Sequence, residues 1–223
     1  MEIRSLGRTG LKVTNLCLGT MTFGNQADKK ASFEILDKAY ETGVNFIDTA
    51  DVYPIGRQSH AVDGATESII GEWLQGRRDK LVLATKCFGA MGPGPNEKGL
   101  SRKHIFTAVE DSLRRFKTDY LDLYQAHQYD KDTPMEETLR ALDDLIQQGK
   151  VRYIGISNWR AWQVAKANGI AERKNYARIV SVQPRYNLLF RMIEDDLVPM
   201  ALDEGIEGCR YAANLRIHSG IGK

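Results

Sequence analysis

Short runs of β-branched and aliphatic residues alternate strictly with amphipathic segments along this chain, and alternation of that kind leaves few folds open. The strand candidates are residues 16–19, 45–48, 81–86, 120–125, 151–157 and 179–183. Helix signals lie between them. Over 101–116, Ile105, Val109, Leu113 and Phe116 fall on one helical face, and Ser101 stands where an N-cap is needed. Thr133-Pro-Met-Glu136 reads as a capping box with proline at the first helical position. The stripe that follows, Leu139, Leu142, Leu145 and Ile146, stops before Gly149. Residues 32–43, 66–75, 160–173 and 191–204 carry a weaker form of the same period. Two further runs, 3–5 and 11–14, flank Gly7-Arg-Thr-Gly10 and predict a small hairpin ahead of the main fold. Six strand–helix units in this order imply an all-parallel sheet joined by helical crossovers. No linker rich in Pro, Gly or Ser divides the chain.

Such a sheet is either doubly wound or closed into a (β/α)₈ TIM barrel. A doubly wound dinucleotide-binding fold expects Gly-x-Gly-x-x-Gly between its first strand and helix, whereas this turn reads Gly19-Thr-Met-Thr-Phe-Gly24-Asn. The other glycine cluster, Met91-Gly-Pro-Gly-Pro-Asn-Glu-Lys-Gly99, puts prolines where phosphate-binding amides are needed and stands apart from the helix start near Ser101. It reads as a mobile rim loop after the third strand. The barrel is the expected architecture.

Composition excludes several function classes. At 223 residues with 42% hydrophobic, the chain can bury one sizeable core. Its 31 basic and 29 acidic residues leave a net charge of +2, so the overall charge gives no reason to expect nucleic acid or an anionic membrane surface. The N-terminus lacks the apolar core of a secretory signal, and no run reaches the length of a membrane span. A soluble cytoplasmic protein is expected. Cys17, Cys87 and Cys209 are odd in number and far apart, which favours free thiols over disulfides or zinc.

Parallel strands bring their C-terminal ends to one rim, where barrel enzymes do their chemistry. Asp48, Lys86 and His127 each end or follow an apolar run, and Tyr53 lies five positions past Asp48. A free tyrosine, with a pKa of about 10, is a poor proton donor at neutral pH, but a neighbouring ammonium favours its phenolate. Lys86 is placed to supply that charge, a carboxylate such as Asp48 to keep Lys86 protonated, and His127 to hydrogen-bond a carbonyl oxygen. Together these make a site for donating a proton to a carbonyl oxygen as its carbon receives a hydride. Taken singly, each has a plainer reading, as a loop cap, a half-buried aromatic, a solvated strand end or a satisfied core histidine.

The segments Gly43-Val-Asn-Phe-Ile-Asp48-Thr-Ala-Asp-Val-Tyr53, Leu83-Ala-Thr-Lys86, Asp119-Tyr-Leu-Asp-Leu-Tyr-Gln-Ala-His127, Gly149-Lys-Val-Arg-Tyr-Ile-Gly-Ile-Ser157-Asn158-Trp and Val182-Gln183-Pro-Arg-Tyr186-Asn187-Leu resemble those of the aldo-keto reductases. The resemblance implies Tyr53 as general acid, Lys86 and Asp48 as its tuning pair, and His127 as the residue that positions the substrate carbonyl. It also implies Ser157, Asn158 and Gln183 as partners of a nicotinamide carboxamide, with Asp48 near the ribose. NADPH is the cofactor it implies, bound without a dinucleotide motif, and an aldehyde or ketone the small-molecule partner.

The resemblance covers residues 1–206, which read as a partial aldo-keto reductase barrel of six units and the start of a seventh. Residues 207–223 read as an atypical C-terminal segment, and a changed reading frame is one expectation for it. There Tyr211 falls near the position of the family's nicotinamide-stacking aromatic. The leading reading is an NADPH-dependent reductase, with inactivity in this truncated form as one expectation, and two alternatives stand beside it. A cofactor-binding regulatory subunit of the potassium-channel β type is one. A metal-dependent barrel hydrolase is the other, but it calls for a His-x-His pair at the first strand, which reads Leu16-Cys-Leu-Gly19. The rim loops at 54–64 and 87–100 are expected to border the pocket, and neither they nor the rest of the sequence specify substrate or oligomeric state.

Overall fold

The computed structural model describes residues 1–55 and 64–208. β1 (Ile3–Ser5) and β2 (Lys12–Thr14) form the antiparallel hairpin that the sequence predicts. Seven parallel strands follow in sequential order: β3 (Cys17–Gly19), β4 (Phe46–Asp48), β5 (Val82–Cys87), β6 (Leu121–Ala126), β7 (Val151–Ser157), β8 (Ile179–Gln183) and β9 (Glu207–Gly208). The crossovers are α1 (Lys29–Glu41), α2 (Ala65–Trp73), α3 (Arg102–Phe116), α4 (Met135–Gln147), α5 (Ala161–Lys174) and α6 (Leu197–Glu204). The sheet curls into an incomplete (β/α)₈ barrel, and β9 supplies the start of the seventh unit.

Two packing layers hold this sheet. On its outer side Leu83, Tyr124, Ile154 and Val182 pack with helical residues such as Val109, Leu142 and Val164. On its inner side Phe46, Val82, Ala84 and Leu123 pack with Leu6 and Val13 of the hairpin, which plugs the floor of the barrel. Both β5 and β6 are buried on both faces, so each reads in sequence as a nearly continuous apolar run. Helices α2 and α3 approach closely at Gly71, where a Cβ would lie 2.1 Å from the Arg115 carbonyl. That approach seats the fully buried Glu67 carboxylate between Arg115 Nε at 2.6 Å and the Thr85 hydroxyl at 2.5 Å.

Helix starts divide between agreement and correction. Ser101 caps α3 by accepting from the His104 amide at 3.3 Å. The predicted capping box at Thr133 does not form: the Thr133 hydroxyl donates to Asp130 at 2.8 Å, and Glu136 pairs with Lys174. Asp130 draws Thr133 away because its carboxylate also collects the amides of Leu100 and Asp132, tying the β5–α3 loop to the β6–α4 loop. Asp130 is held below its usual range: burial opposes its charge, and those hydrogen bonds outweigh burial. The glycine-rich loop expected to be mobile is stitched by hydrogen bonds from Gly99 to Phe88 and from Met91 to Glu97.

Candidate active site

The carboxyl ends of β4, β5 and β6 bring the predicted residues together. Asp48 pairs in register with Ala84 on β5, and Lys86 stands two residues further along that strand. The fully buried Lys86 reaches back to Asp48 Oδ2 at 2.6 Å and to the Thr49 carbonyl at 2.7 Å. Burial favours the neutral amine, but Asp48 and Tyr53 outweigh it and hold Lys86 above its usual range, so it is an ammonium throughout the physiological range. Its Nζ lies 5.4 Å from the centroid of the Tyr53 ring, on the ring face. Tyr53 is itself buried and meets His127 edge to face, with ring centroids 5.7 Å apart.

His127 follows β6, its amide donating to the Cys87 carbonyl at 3.0 Å. Burial first, and the Lys86 charge second, pull its pKa down to about 3. Its imidazole is therefore neutral at physiological pH, a hydrogen-bonding group and not a proton reservoir.

The second predicted group gathers at the ends of β7 and β8. Asn158 turns the chain after β7 in the left-handed region, φ +59°, which asparagine tolerates better than most residues. Its Nδ2 donates to the His127 carbonyl and to Ser157 Oγ, each at 3.0 Å, and so links this group to the tetrad. The Ser157 hydroxyl donates to the Gln183 carbonyl at 2.8 Å. Ser157 and the Asn158 backbone amide thus both bond the Gln183 backbone carbonyl, which brings the three residues to one rim position. Tyr211 lies outside the described residues, as do Arg57 and His60 of the 54–64 loop. Beyond Asn158 a cavity of about 680 Å³ opens between the starts of α5 and α6, lined by Trp159, Arg185 and Phe190 among others.

Gln125 belongs to the site and was not singled out from the sequence: its Nε2 donates to Asp48 Oδ1 at 2.9 Å. Its position two residues before His127, on the same strand face as Leu123, is the signal that could have found it. Among the described residues no cluster of three or more His, Cys, Asp or Glu side chains could hold a metal ion. No helix there is long and apolar enough to cross a membrane.

A curled parallel sheet with a buried lysine–carboxylate pair against a tyrosine at its carboxyl rim defines a class, that of the (β/α) barrels with an ionisable cluster at the strand ends. The chain belongs to the aldo/keto reductase family, whose model matches residues 15–213. It is similar to the "uncharacterized oxidoreductase YrpG" of Bacillus subtilis, at 44% identity over 92% of this chain and 64% of that protein. It is also similar to a "probable voltage-gated potassium channel subunit beta" of Arabidopsis thaliana, at 41% identity over 92% of this chain and 62% of that one. With norsolorinic acid reductase A of Aspergillus parasiticus it shares 38% identity over 88% of this chain and 53% of that protein. The chain spans less than two thirds of the length of these relatives.

Proposed function

We propose that the chain carries the proton-donating half of an NADPH-dependent carbonyl reductase acting on a small aldehyde or ketone. The observation that carries this reading is the fully buried Lys86, held charged by Asp48 and set against the face of Tyr53. A protein core does not keep a bare ammonium without reason, because desolvating one costs several kcal/mol. Here the charge stands where it makes a phenol a usable acid.

In this reading Tyr53 gives its hydroxyl proton to the carbonyl oxygen, and Lys86 stabilises the phenolate left behind. Asp48 keeps Lys86 protonated and in place. Neutral His127 donates a hydrogen bond that aims the carbonyl oxygen at Tyr53. Reduced nicotinamide, when bound, supplies the hydride, with Ser157, Asn158 and Gln183 as the residues that would hold its carboxamide. Asp48 would also hydrogen-bond the nicotinamide ribose, and a cytoplasmic location fits the cofactor.

The second reading, a cofactor-binding channel subunit, is favoured by the named potassium-channel relatives. Incubating the protein with NADPH and a panel of aldehydes, with and without chelator, separates the two. Chelator-insensitive NADPH oxidation dependent on aldehyde supports the reductase. NADPH binding without turnover supports the subunit.

A further inference from the structure

We propose that Gln125 is a positioning residue that fixes the Asp48 carboxylate so that its other oxygen stays on Lys86, an inference that rests on the reductase reading. Both carboxylate oxygens are occupied: Oδ2 accepts from Lys86 at 2.6 Å and Oδ1 from Gln125 Nε2 at 2.9 Å. The two donors arrive from different strands. Gln125 is in register with Lys86, while Asp48 on β4 is in register with Ala84, so the Gln125 amide crosses the whole width of β5 to reach it.

Three local features make that reach possible. At the level of Asp48, β5 offers only the methyl group of Ala84. On the far side Gln125 pairs with Gly155, where a Cβ would come within 3.2 Å of Gln125 Cγ and 2.3 Å of Ser181 Oγ. Asparagine, one methylene shorter, could not span the strand. Chemistry fixes the direction of the amide as well. Reversed, it would set Oε1 against Oδ1, two acceptors with no proton between them. Gln125 is 1% exposed, and its Oε1 has no hydrogen-bond partner among the described residues. The Asp48 carboxylate is therefore what orients the group. Free rotation of Asp48 would let its charge leave Lys86, and Gln125 removes that freedom.

The test uses the ¹⁵N-labelled chain, with the Gln125 side-chain amide assigned by its loss in Gln125→Met. Asp48→Asn should displace that amide pair and leave those of the exposed Gln147 and Gln148 in place. An unmoved Gln125 amide overturns the proposal. Should Asp48→Asn not fold, the parent protein decides by itself: the Gln125 amide protons should exchange with solvent at least about tenfold more slowly than those of Gln147 and Gln148. Equal exchange refutes the placement. In turnover with NADPH and aldehyde, Gln125→Met should lower kcat on the order of tenfold, the loss of one hydrogen bond to a charged group, at unchanged KM for the aldehyde. A parent chain that reduces no carbonyl counts against the reductase reading and not against this placement, which the amide resonances decide independently.

Discussion

Replacing Lys86 with methionine removes the charge that the proposed chemistry depends on while nearly keeping the volume of the side chain. Lys86 Nζ stands 5.4 Å from the Tyr53 ring centroid. At an effective dielectric of about 20, a unit charge at that distance from another is worth roughly 3 kcal/mol. Losing the cation removes a term that favours phenolate, so the Tyr53 titration should move upward. A second effect acts on stability. Among the described residues Asp48 would keep Gln125 as its one side-chain partner, and a buried carboxylate that has lost its cation costs about 3–5 kcal/mol. Asp48→Asn in the same chain should return part of that cost, because it removes the stranded charge. Tyr ring ¹³C resonances, with Tyr53 assigned through Tyr53→Phe, report the phenol titration in parent and variant whether or not the chain turns over. Urea unfolding of the two single variants and the double variant measures the coupling. A Tyr53 midpoint unmoved by Lys86→Met, or additive stability losses in the cycle, would refute the argument that Lys86 couples Asp48 to Tyr53.

Tyr53→Phe should retain NADPH binding by fluorescence and lose aldehyde reduction by at least about a hundredfold, the usual size of general acid catalysis; near-normal turnover removes Tyr53 from its role. His127, with its pKa pulled from 6.5 to about 3, makes the folded state bind fewer protons than the unfolded one between those values. Its contribution is complete above pH 6.5 and lost as pH falls towards 3, at most ~5 kcal/mol before solvent at the rim reduces it. His127→Asn should flatten that part of the pH–stability curve, and an unchanged slope would show that His127 is not held neutral. At the edge strand β3, Leu16 is 57% exposed and Ile35 of α1 41% exposed, beside an apolar groove of about 330 Å³. Purified residues 1–223 should self-associate there, and Leu16→Lys should shift the mass by light scattering towards the monomer, since a charge at an edge opposes strand pairing; no change in mass refutes the assignment of the edge.

The alternation of strands and helices was legible because parallel strands buried on both faces leave apolar runs that side-chain period alone picks out, as in 82–87 and 121–126. The juxtaposition of these side chains was legible for a related reason: Asp48, Lys86 and His127 fall at or just after the carboxyl ends of strands, which parallel pairing brings to one rim. What sequence position does not carry is reach across the sheet. Gln125 looked like one more strand residue until register placed it level with Lys86 and two strands from Asp48. The capping box failed on similar grounds, because Asp130 competes for the Thr133 hydroxyl and the rule for the local four-residue pattern contains no such competitor. The two-residue strand β9 is too short to leave any period in sequence and is defined by its pairing with Ser181 and Val182.

The inner face of the barrel explains why an ammonium can be kept at full burial here. Below the site the interior is apolar: Phe46, Val82, Ala84 and Leu123 meet Leu6 and Val13 of the hairpin, so among the described residues Lys86 finds its polar partners elsewhere. Its donors must be satisfied sideways and upward, and Asp48, the Thr49 carbonyl and the Tyr53 face are the groups placed there. On the outer face of the same strand, Thr85 is pinned by Glu67, which Arg115 holds in turn, so the residue next to Lys86 cannot slide. The lysine is thus confined by an apolar floor, a fixed strand and one carboxylate. Rigidity of that kind is what a fixed ammonium needs if its charge is to act on Tyr53 at a constant distance, and it follows from packing that the hairpin and the α2–α3 contact at Gly71 provide well away from Lys86 Nζ.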